Sequence, residues 1–174
     1  MNRINESDAL QLLNNYKIHP DRIAHSVGVS DFAFKIAQQI NQLHPELDID
    51  PQKVKLAALL HDIGRSQPGD HELNTISILK QEGLEEIASI TMHGSFYEIM
   101  KLRGEDNPSY LPKTIENKIV AYADARFKDK LLSLEERWSE IEHRRSNEPE
   151  KLRSITMAKQ RFKSIEAELQ RLTN

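Results

Sequence analysis

Four side chains that can bind a metal ion interrupt otherwise apolar helix faces in this chain: His25, the adjacent His61 and Asp62, and Asp124. The adjacent pair lies in the run LAALLHDIGR, where a buried helix would ordinarily carry no charge. Burying a carboxylate beside an imidazole costs free energy unless a partner neutralises it. A divalent cation is a suitable partner, because neutral imidazole and ionised carboxylate are both metal ligands. These residue types therefore indicate a divalent-metal site.

The same four residues allow a simpler interpretation, in which each polar side chain pairs locally and no site is shared. A single inward-facing histidine or aspartate in a protein core is usually of that kind. The prediction of a common site therefore requires that the helices carrying these residues pack against one another.

The sequence predicts an all-α protein, since no segment alternates apolar and polar residues over the length of a strand. Ser7 is predicted to cap a short first helix. Pro20 is predicted to open a long second helix, whose inward face carries His25 and continues to Leu43. The predicted helices that follow run from Pro51 to Gly64, from His71 to Gln81, from Leu84 to His93, and onward from Pro112 through Asp124.

The C-terminal third is predicted to form two helices, with capping boxes at Ser133 and Glu136 and at Asn147 and Glu150. The last helix carries an apolar seam with steps of three and four residues. The seam consists of Ile155, Ala158, Phe162, Ile165, Leu169 and Leu172, with Leu134, Trp138 and Ile141 as its expected mate. We therefore predict a core domain over residues 1–132 and a helical hairpin over 133–174, packed on the core or joining two copies as a homodimer.

Composition limits the classes of function. The chain has 174 residues, enough for one domain, and a net charge of −3, which argues against binding to a nucleic-acid duplex or an anionic membrane. It has no cysteine, so thiolate zinc sites and cysteine nucleophiles are excluded. The N-terminal sequence does not have the pattern of a signal peptide, and no apolar run is long enough to span a membrane. We expect a cytoplasmic protein.

The order of these residues resembles that of the HD superfamily of metal-dependent phosphohydrolases, and the HDIG spelling is similar to that of its small single-domain members. The resemblance covers most of the chain. The matching features are HSVGV from His25, LLHDIGR around His61, His71 after the following loop, His93 before a glycine, KIVAYAD ending at Asp124, and a helical tail beginning SLEER.

The resemblance implies a helical bundle in which His25, His61, Asp62 and Asp124 hold a divalent metal ion. Mn, Fe, Mg, Co, Ni and Zn all remain candidates for that ion. One ion is favoured over two, because a second would have only neutral imidazoles and a bridging Asp62 as ligands.

Three further residues are assigned to the chemistry by the same resemblance. His71 and His93 are expected to face a substrate phosphate, although relatives also use such histidines for a second metal. Arg65 is expected to clamp phosphate through its guanidinium, and Asp62 to orient or deprotonate the attacking water. The alternatives are surface or capping roles for the two histidines, and a favourable charge at a helix C-terminus for Arg65.

The sequence thus predicts a metal-dependent phosphohydrolase that acts on a small phosphate ester, with nucleotides among the candidate substrates. Two other functions stay open. Relatives of this fold carry out oxygen chemistry on a di-iron centre, and a metal-stabilised helical core could also serve as a non-catalytic module for ligand sensing or interaction.

Overall fold

The computed structural model describes residues 4–174, and residues 1–3 of the predicted core domain lie outside the described part. The helices are α1 (Glu6–Asn15), α2 (Pro20–Leu43), α3 (Pro51–Leu60), α4 (His71–Gln81), α5 (Glu85–Ala88), α6 (Phe96–Leu102), α7 (Ile115–Arg126), α8 (Leu134–Arg144) and α9 (Pro149–Thr173). Within residues 4–174 there is no strand, so the predicted all-α fold is confirmed. Over the same residues no helix is long and apolar enough to cross a membrane.

Helix α3 lies at the centre of the fold, between α2, α7 and α1. Val54 and every residue from Leu56 to Leu60 are buried. A helix that is apolar on all sides must be surrounded by other elements, which is why its C-terminal end lies deep in the protein. His61 follows directly as the C-terminal cap of α3 and is fully buried.

Helix α2 presents small residues to its neighbours, and this allows close packing against α3 and α7. Ala33 and Ala37 are fully buried on its inner face. The predicted inward stripe of α2 is wrong at its end, because Leu43 is 51% exposed. The prediction rests on a regular repeat of large apolar residues. In the structure, alanine and serine form most of the buried face of α2.

The turn after α3 requires a glycine. A Cβ atom on Gly64 would lie 2.1 Å from the carbonyl oxygen of His71 and 2.4 Å from the backbone nitrogen of Thr75. The Thr75 hydroxyl accepts a hydrogen bond from the Gly64 N–H at 3.0 Å and donates one to the His61 carbonyl at 2.9 Å. The short 3₁₀ turn Ile63–Ser66 is thereby fixed against α4, and this turn holds Asp62 in place.

Two predicted helix starts are wrong because another side chain provides the cap. Helix α1 begins at Glu6, and the Asn5 side chain rather than Ser7 accepts the capping hydrogen bond. Helix α7 begins three residues after Pro112, and the Thr114 hydroxyl caps it. Residues that can cap a helix lie close together in both segments, and the sequence alone did not distinguish them.

The helix predicted over Leu84–His93 is wrong in its length, since α5 covers only Glu85–Ala88. The Asn117 side-chain amide donates hydrogen bonds to the carbonyl oxygens of Ile90 and Met92, at 2.9 and 2.7 Å. Helix α7 therefore satisfies carbonyl groups of the non-helical segment that follows α5.

The two C-terminal caps have different outcomes. The capping box of α8 is confirmed, because Ser133 and Glu136 form both of its hydrogen bonds. The second capping box is wrong, since no side chain within the described residues caps α9. The predicted partner in that box, Glu150, instead forms two hydrogen bonds with Arg103, at 3.0 and 2.9 Å.

The seam of α9 is buried in the same hydrophobic core as α2, α3 and α7. It packs on α6, α2 and α7 as well as on α8. Two ion pairs flank the seam: Arg161 with Glu98 of α6, and Lys118 of α7 with Glu168. The domain boundary at residues 132 and 133 stays a prediction, but α9 closes one side of the helical core.

We expect Phe162→Ala to lower the free energy of unfolding by about 3–5 kcal/mol, because it empties a buried position of the seam. The control is Met157→Ala on the same helix, where the side chain is 42% exposed and the change should be within about 0.5 kcal/mol. Denaturant unfolding of both variants measures the difference. Equal stability of the two variants, or a deletion of residues 147–174 that costs no stability and leaves the oligomeric mass unchanged, would show that the seam is neither core nor interface.

Candidate metal centre

Three helices bring the predicted ligands to one point. His25 projects from α2, His61 and Asp62 follow α3, and Asp124 lies near the end of α7. The Nε2 atoms of His25 and His61 lie 3.1 and 3.4 Å from Asp124 Oδ1, and His61 Nε2 lies 3.9 Å from Asp62 Oδ1. The four residues are therefore assembled in one cluster.

His71 and His93 belong to the same cluster. Their Nε2 atoms lie 3.4 and 3.6 Å from Asp62 Oδ1 and 3.3 Å from one another. His93 is only 4% exposed, and the His71 side chain is largely buried. Neither residue is a surface histidine, and the rings of both face Asp62 Oδ1.

The Nδ1 atoms of three histidines determine which ring nitrogen faces the centre. Each lies within hydrogen-bond distance of a backbone carbonyl oxygen, with His25 paired to Lys128 at 3.0 Å, His61 to Ala58 at 2.6 Å and His93 to Thr91 at 2.9 Å. A carbonyl oxygen can only accept, so Nδ1 must carry the proton. In the neutral ring Nε2 then keeps its lone pair, which is the form that ligates metals.

Glu72 accepts a hydrogen bond from His71 Nδ1, as the backbone carbonyls do for the other three histidines. Glu72 was not identified from the sequence. Its carboxylate lies 3.0 Å from His71 Nδ1, and the residue is 6% exposed. The sequence does carry a signal for Glu72, because it is spaced three and seven residues before Thr75 and Leu79, on one face of the helix. That face of α4 is buried.

Two buried polar atoms at the centre have no hydrogen-bond partner anywhere in residues 4–174: His61 Nε2 and Asp62 Oδ1. Leaving such atoms unsatisfied costs free energy. The donor atoms fall into three groups of three ligands, and within each group they lie within 4.8 Å of one another. Converging lone pairs from imidazole and carboxylate are suited to a divalent cation, and the residues present therefore fit one.

The charges at the centre favour a cation. Burial lowers the pKa of His93, but the neighbouring carboxylates of Asp62, Asp124 and Glu72 outweigh it and raise that pKa to about 9. Burial raises the pKa of Asp62, yet the nearby His61, His93 and Arg65 hold that pKa well below its usual range. The carboxylates stay ionised and attract positive charge to this position.

The two oxygens of Asp62 have different partners. Arg65 Nε lies 2.5 Å from Oδ2, and Arg22 Nη1 lies 3.8 Å from the same atom. Arg65 Nη2 also lies 2.9 Å from His71 Nε2. Oδ2 is thus held by arginines while Oδ1 faces the histidines, so Asp62 offers one oxygen to the centre in a fixed orientation.

The centre opens into a cavity of about 560 Å³. Of the residues identified from the sequence, all but the fully buried His61 line it: His25, Asp62, Arg65, His71, His93 and Asp124, and Arg22 joins them. The opposite side comes from the C-terminal helices, through Trp138 of α8 and residues of the α9 seam. The sequence did not predict that these two helices would form part of the site.

The family model for the HD domain matches residues 22–127, which is more than half of the chain. The chain belongs to the HD-domain family, a superfamily of metal-dependent hydrolases. All six histidines and aspartates of the cluster lie within the matched residues. The family and the cluster together indicate divalent-metal binding.

Three of the curated proteins to which the chain is similar show the range of its relatives. An uncharacterized protein of Methanocaldococcus jannaschii is 33% identical over 123 residues, which cover 67% of this chain and 71% of that protein. Proteins named tRNA (cytidine(56)-2'-O)-methyltransferase from Thermoplasma volcanium and Picrophilus torridus are 34% and 30% identical over 139 and 119 residues. Those matches cover 75% and 64% of this chain but only 39% and 34% of the two methyltransferases. No solved structure matches the chain.

Metal content will separate the roles of the histidines. We expect His61→Ala to lose bound metal, because it removes a proposed ligand, and His93→Ala to keep the same amount per chain, because we expect His93 to face phosphate. His143→Ala, at an exposed position of α8, is the control. Metal per chain is measured by elemental analysis after dialysis. Two ions in the parent that fall to one in His93→Ala would contradict a single-ion centre.

Proposed function

We propose that the protein is a metal-dependent phosphohydrolase that acts on a small phosphate ester, with a nucleotide as the favoured substrate. The observation that carries the proposal is the pair of buried, unpartnered atoms among the described residues, His61 Nε2 and Asp62 Oδ1, at one end of an open cavity. A purely structural metal site would be closed, whereas a catalytic one keeps access for water and substrate.

His25, His61, Asp62 and Asp124 would hold the ion. Two carboxylates balance a dication and two neutral imidazoles complete a mixed nitrogen and oxygen set, which Mn, Fe, Mg, Co, Ni and Zn could each occupy. When bound, such an ion would supply Lewis-acid chemistry to a phosphoryl oxygen and increase the acidity of a coordinated water. The chain itself supplies the orientation of the four ligands, through the Nδ1 hydrogen bonds of the histidines and the arginines on Asp62.

A single ion is favoured by the position of Arg65. Its guanidinium donates to His71 Nε2 at 2.9 Å and so uses the lone pair that a second ion would need. A second dication beside that guanidinium would also be repelled by it. With its Nδ1 bonded to Glu72 and its Nε2 to Arg65, His71 orients that guanidinium, and Arg65 and His93 are then available to a substrate phosphate.

The positive side chains around the cavity suit a phosphate. Arg22 and Arg65 both lie beside Asp62 and line the cavity. Guanidinium groups bind phosphate oxygens through paired hydrogen bonds, and fixed donors stabilise the charge that develops on a transferring phosphoryl group. We propose that Asp62, with one oxygen held by the arginines, orients a water molecule or accepts its proton.

Two observations favour a small nucleotide as the substrate. A cavity of about 560 Å³ is of the size that holds a small ligand. Two of the similar proteins are named for the modification of tRNA, which associates a related segment with the chemistry of nucleotides. The net charge of −3 is unfavourable for a duplex, so we propose a mononucleotide-sized molecule rather than a polymer.

One observation favours a second function, di-iron oxygen chemistry. Asp62, His71 and His93 form a group of three donors within 4.8 Å, next to the group that contains His25. Two irons per chain together with a visible absorption band in the purified protein would support it. A colourless protein with one ion per chain would exclude it.

We expect Asp62→Ala to lower phosphate-ester hydrolysis by roughly a hundredfold or more, while the melting temperature changes much less, because the helical core depends on apolar packing. Asp31→Ala removes the same charge at an exposed position of α2 and is the control. Hydrolysis of nucleotides and simple monoesters is measured with Mn²⁺, Mg²⁺ or Co²⁺, alongside melting curves.

The proposal is overturned if the parent hydrolyses no phosphate ester with any of these ions and Asp62→Ala melts far below the parent. The site is then a structural metal site. The protein would then be a non-catalytic module.

A further inference from the structure

We propose that α8 and the segment before it form a second anion-binding subsite in the same cavity. We infer that the substrate is an organic phosphate with a second phosphate group attached elsewhere on an apolar body. This inference rests on the proposed function, because it specifies the substrate class of the same site. The subsite residues lie after residue 127, outside the matched family region.

The first observation is a cluster of cations around one carboxylate. Glu140 lies 3.5 Å from Lys128 Nζ and 3.1 Å from Arg144 Nε, and it also contacts the Arg137 guanidinium. All four side chains line the cavity. Three positive charges share one negative charge, so the cluster carries a net positive charge that an incoming anion could use.

The second observation concerns Arg137. Its side chain is only 11% exposed, and its Nε atom is buried without an acceptor among residues 4–174. A buried charged donor without a partner costs more than a neutral one. A phosphate group in the cavity would offer additional acceptor oxygens to this part of the wall.

The third observation links this cluster to the metal centre. The Lys128 carbonyl oxygen accepts the hydrogen bond from His25 Nδ1, and the ammonium group of the same residue lies near Glu140. Lys128 therefore contacts both the metal centre, where Arg22 and Arg65 form one positive region of the cavity, and the cluster around Glu140, which forms the other. A single small molecule could reach both.

The fourth observation is the apolar surface that lines the same cavity. Trp138, Ile155 and Phe162 contribute to its wall, together with Ile141. Such a surface suits the uncharged body of a ligand, for example a base or a sugar edge, and not a chain of phosphates alone. The cavity thus combines two positive regions with an apolar wall, which matches an organic bisphosphate.

Glu140 gives the subsite its selectivity. Without ligand, its carboxylate holds the guanidinium groups and the ammonium group in place. A phosphate carries more negative charge than a carboxylate and has three acceptor oxygens, so it competes for the same donors better than a weaker anion would. Removing the charge of Glu140 should therefore strengthen binding of the second phosphate.

The test measures binding, so it does not depend on turnover. Trp138 is the one tryptophan of the sequence and lines the cavity, which makes its fluorescence a local probe. Adenosine 3′,5′-bisphosphate and AMP are titrated into the full-length parent. We expect the bisphosphate to bind roughly tenfold tighter or better, the scale set by hydrogen bonds to charged groups.

Variants locate the effect. Arg144→Ala should remove most of the advantage of the bisphosphate over AMP, and Glu140→Gln should enlarge it. Arg153→Ala removes the same charge from an exposed position of α9 and should leave the ratio of the two dissociation constants unchanged. Circular dichroism of each variant confirms folding, and Arg144→Lys, which keeps the charge, should retain part of the advantage.

The inference is overturned if the parent binds the two ligands equally, or if the ratio is the same in Arg144→Ala and in the parent. A parent that hydrolyses monophosphates but shows no preference would keep the proposed function and remove only the second subsite. A parent that prefers the bisphosphate in binding but hydrolyses nothing would keep the subsite and remove the phosphohydrolase.

Discussion

The convergence of unshared electron pairs in a buried space is the constraint on which the rest of this structure depends. Several imidazole nitrogens and the oxygens of Asp62 and Asp124 face one another at 3.1–3.9 Å, and when the imidazoles are neutral their lone pairs repel the carboxylate oxygens and one another. A cation removes the repulsion. The surrounding fold keeps the donors in this arrangement, through backbone carbonyls that fix the histidine rings and through the Gly64 turn that fixes Asp62.

Helices beyond the matched family region support the centre from the other side. Arg161 of α9 donates to the Gly94 carbonyl at 2.9 Å and forms two hydrogen bonds with Glu98 of α6. Ser154 is hydrogen-bonded to Ser95 at 3.0 Å. These bonds hold the segment that carries His93, and α8 closes the cavity above it. The last two helices therefore belong to the site as well as to the core.

The all-α fold could be predicted, and the candidate metal ligands proposed, from the sequence because their signals are local. A charged residue on an apolar face is visible in one helix at a time, as with Asp124 on α7. The length of α5 could not be predicted, since it depends on hydrogen bonds from Asn117, far along the chain. The contact of Lys128 with Glu140 likewise depends on how α8 packs, whereas Arg137 and Arg144 lie within about one helical turn of Glu140 on α8 itself.

The most direct test of the metal centre is the melting temperature of chelator-treated protein as a divalent ion is added back. An ion that binds only the folded state stabilises it by about 2.7 kcal/mol at a hundred times its dissociation constant. We expect the melting temperature to rise steadily with added Mn²⁺ or a comparable ion. We expect ion binding to saturate at one ion per chain. A melting temperature that chelator and every divalent ion leave unchanged, with no ion bound, would contradict the account.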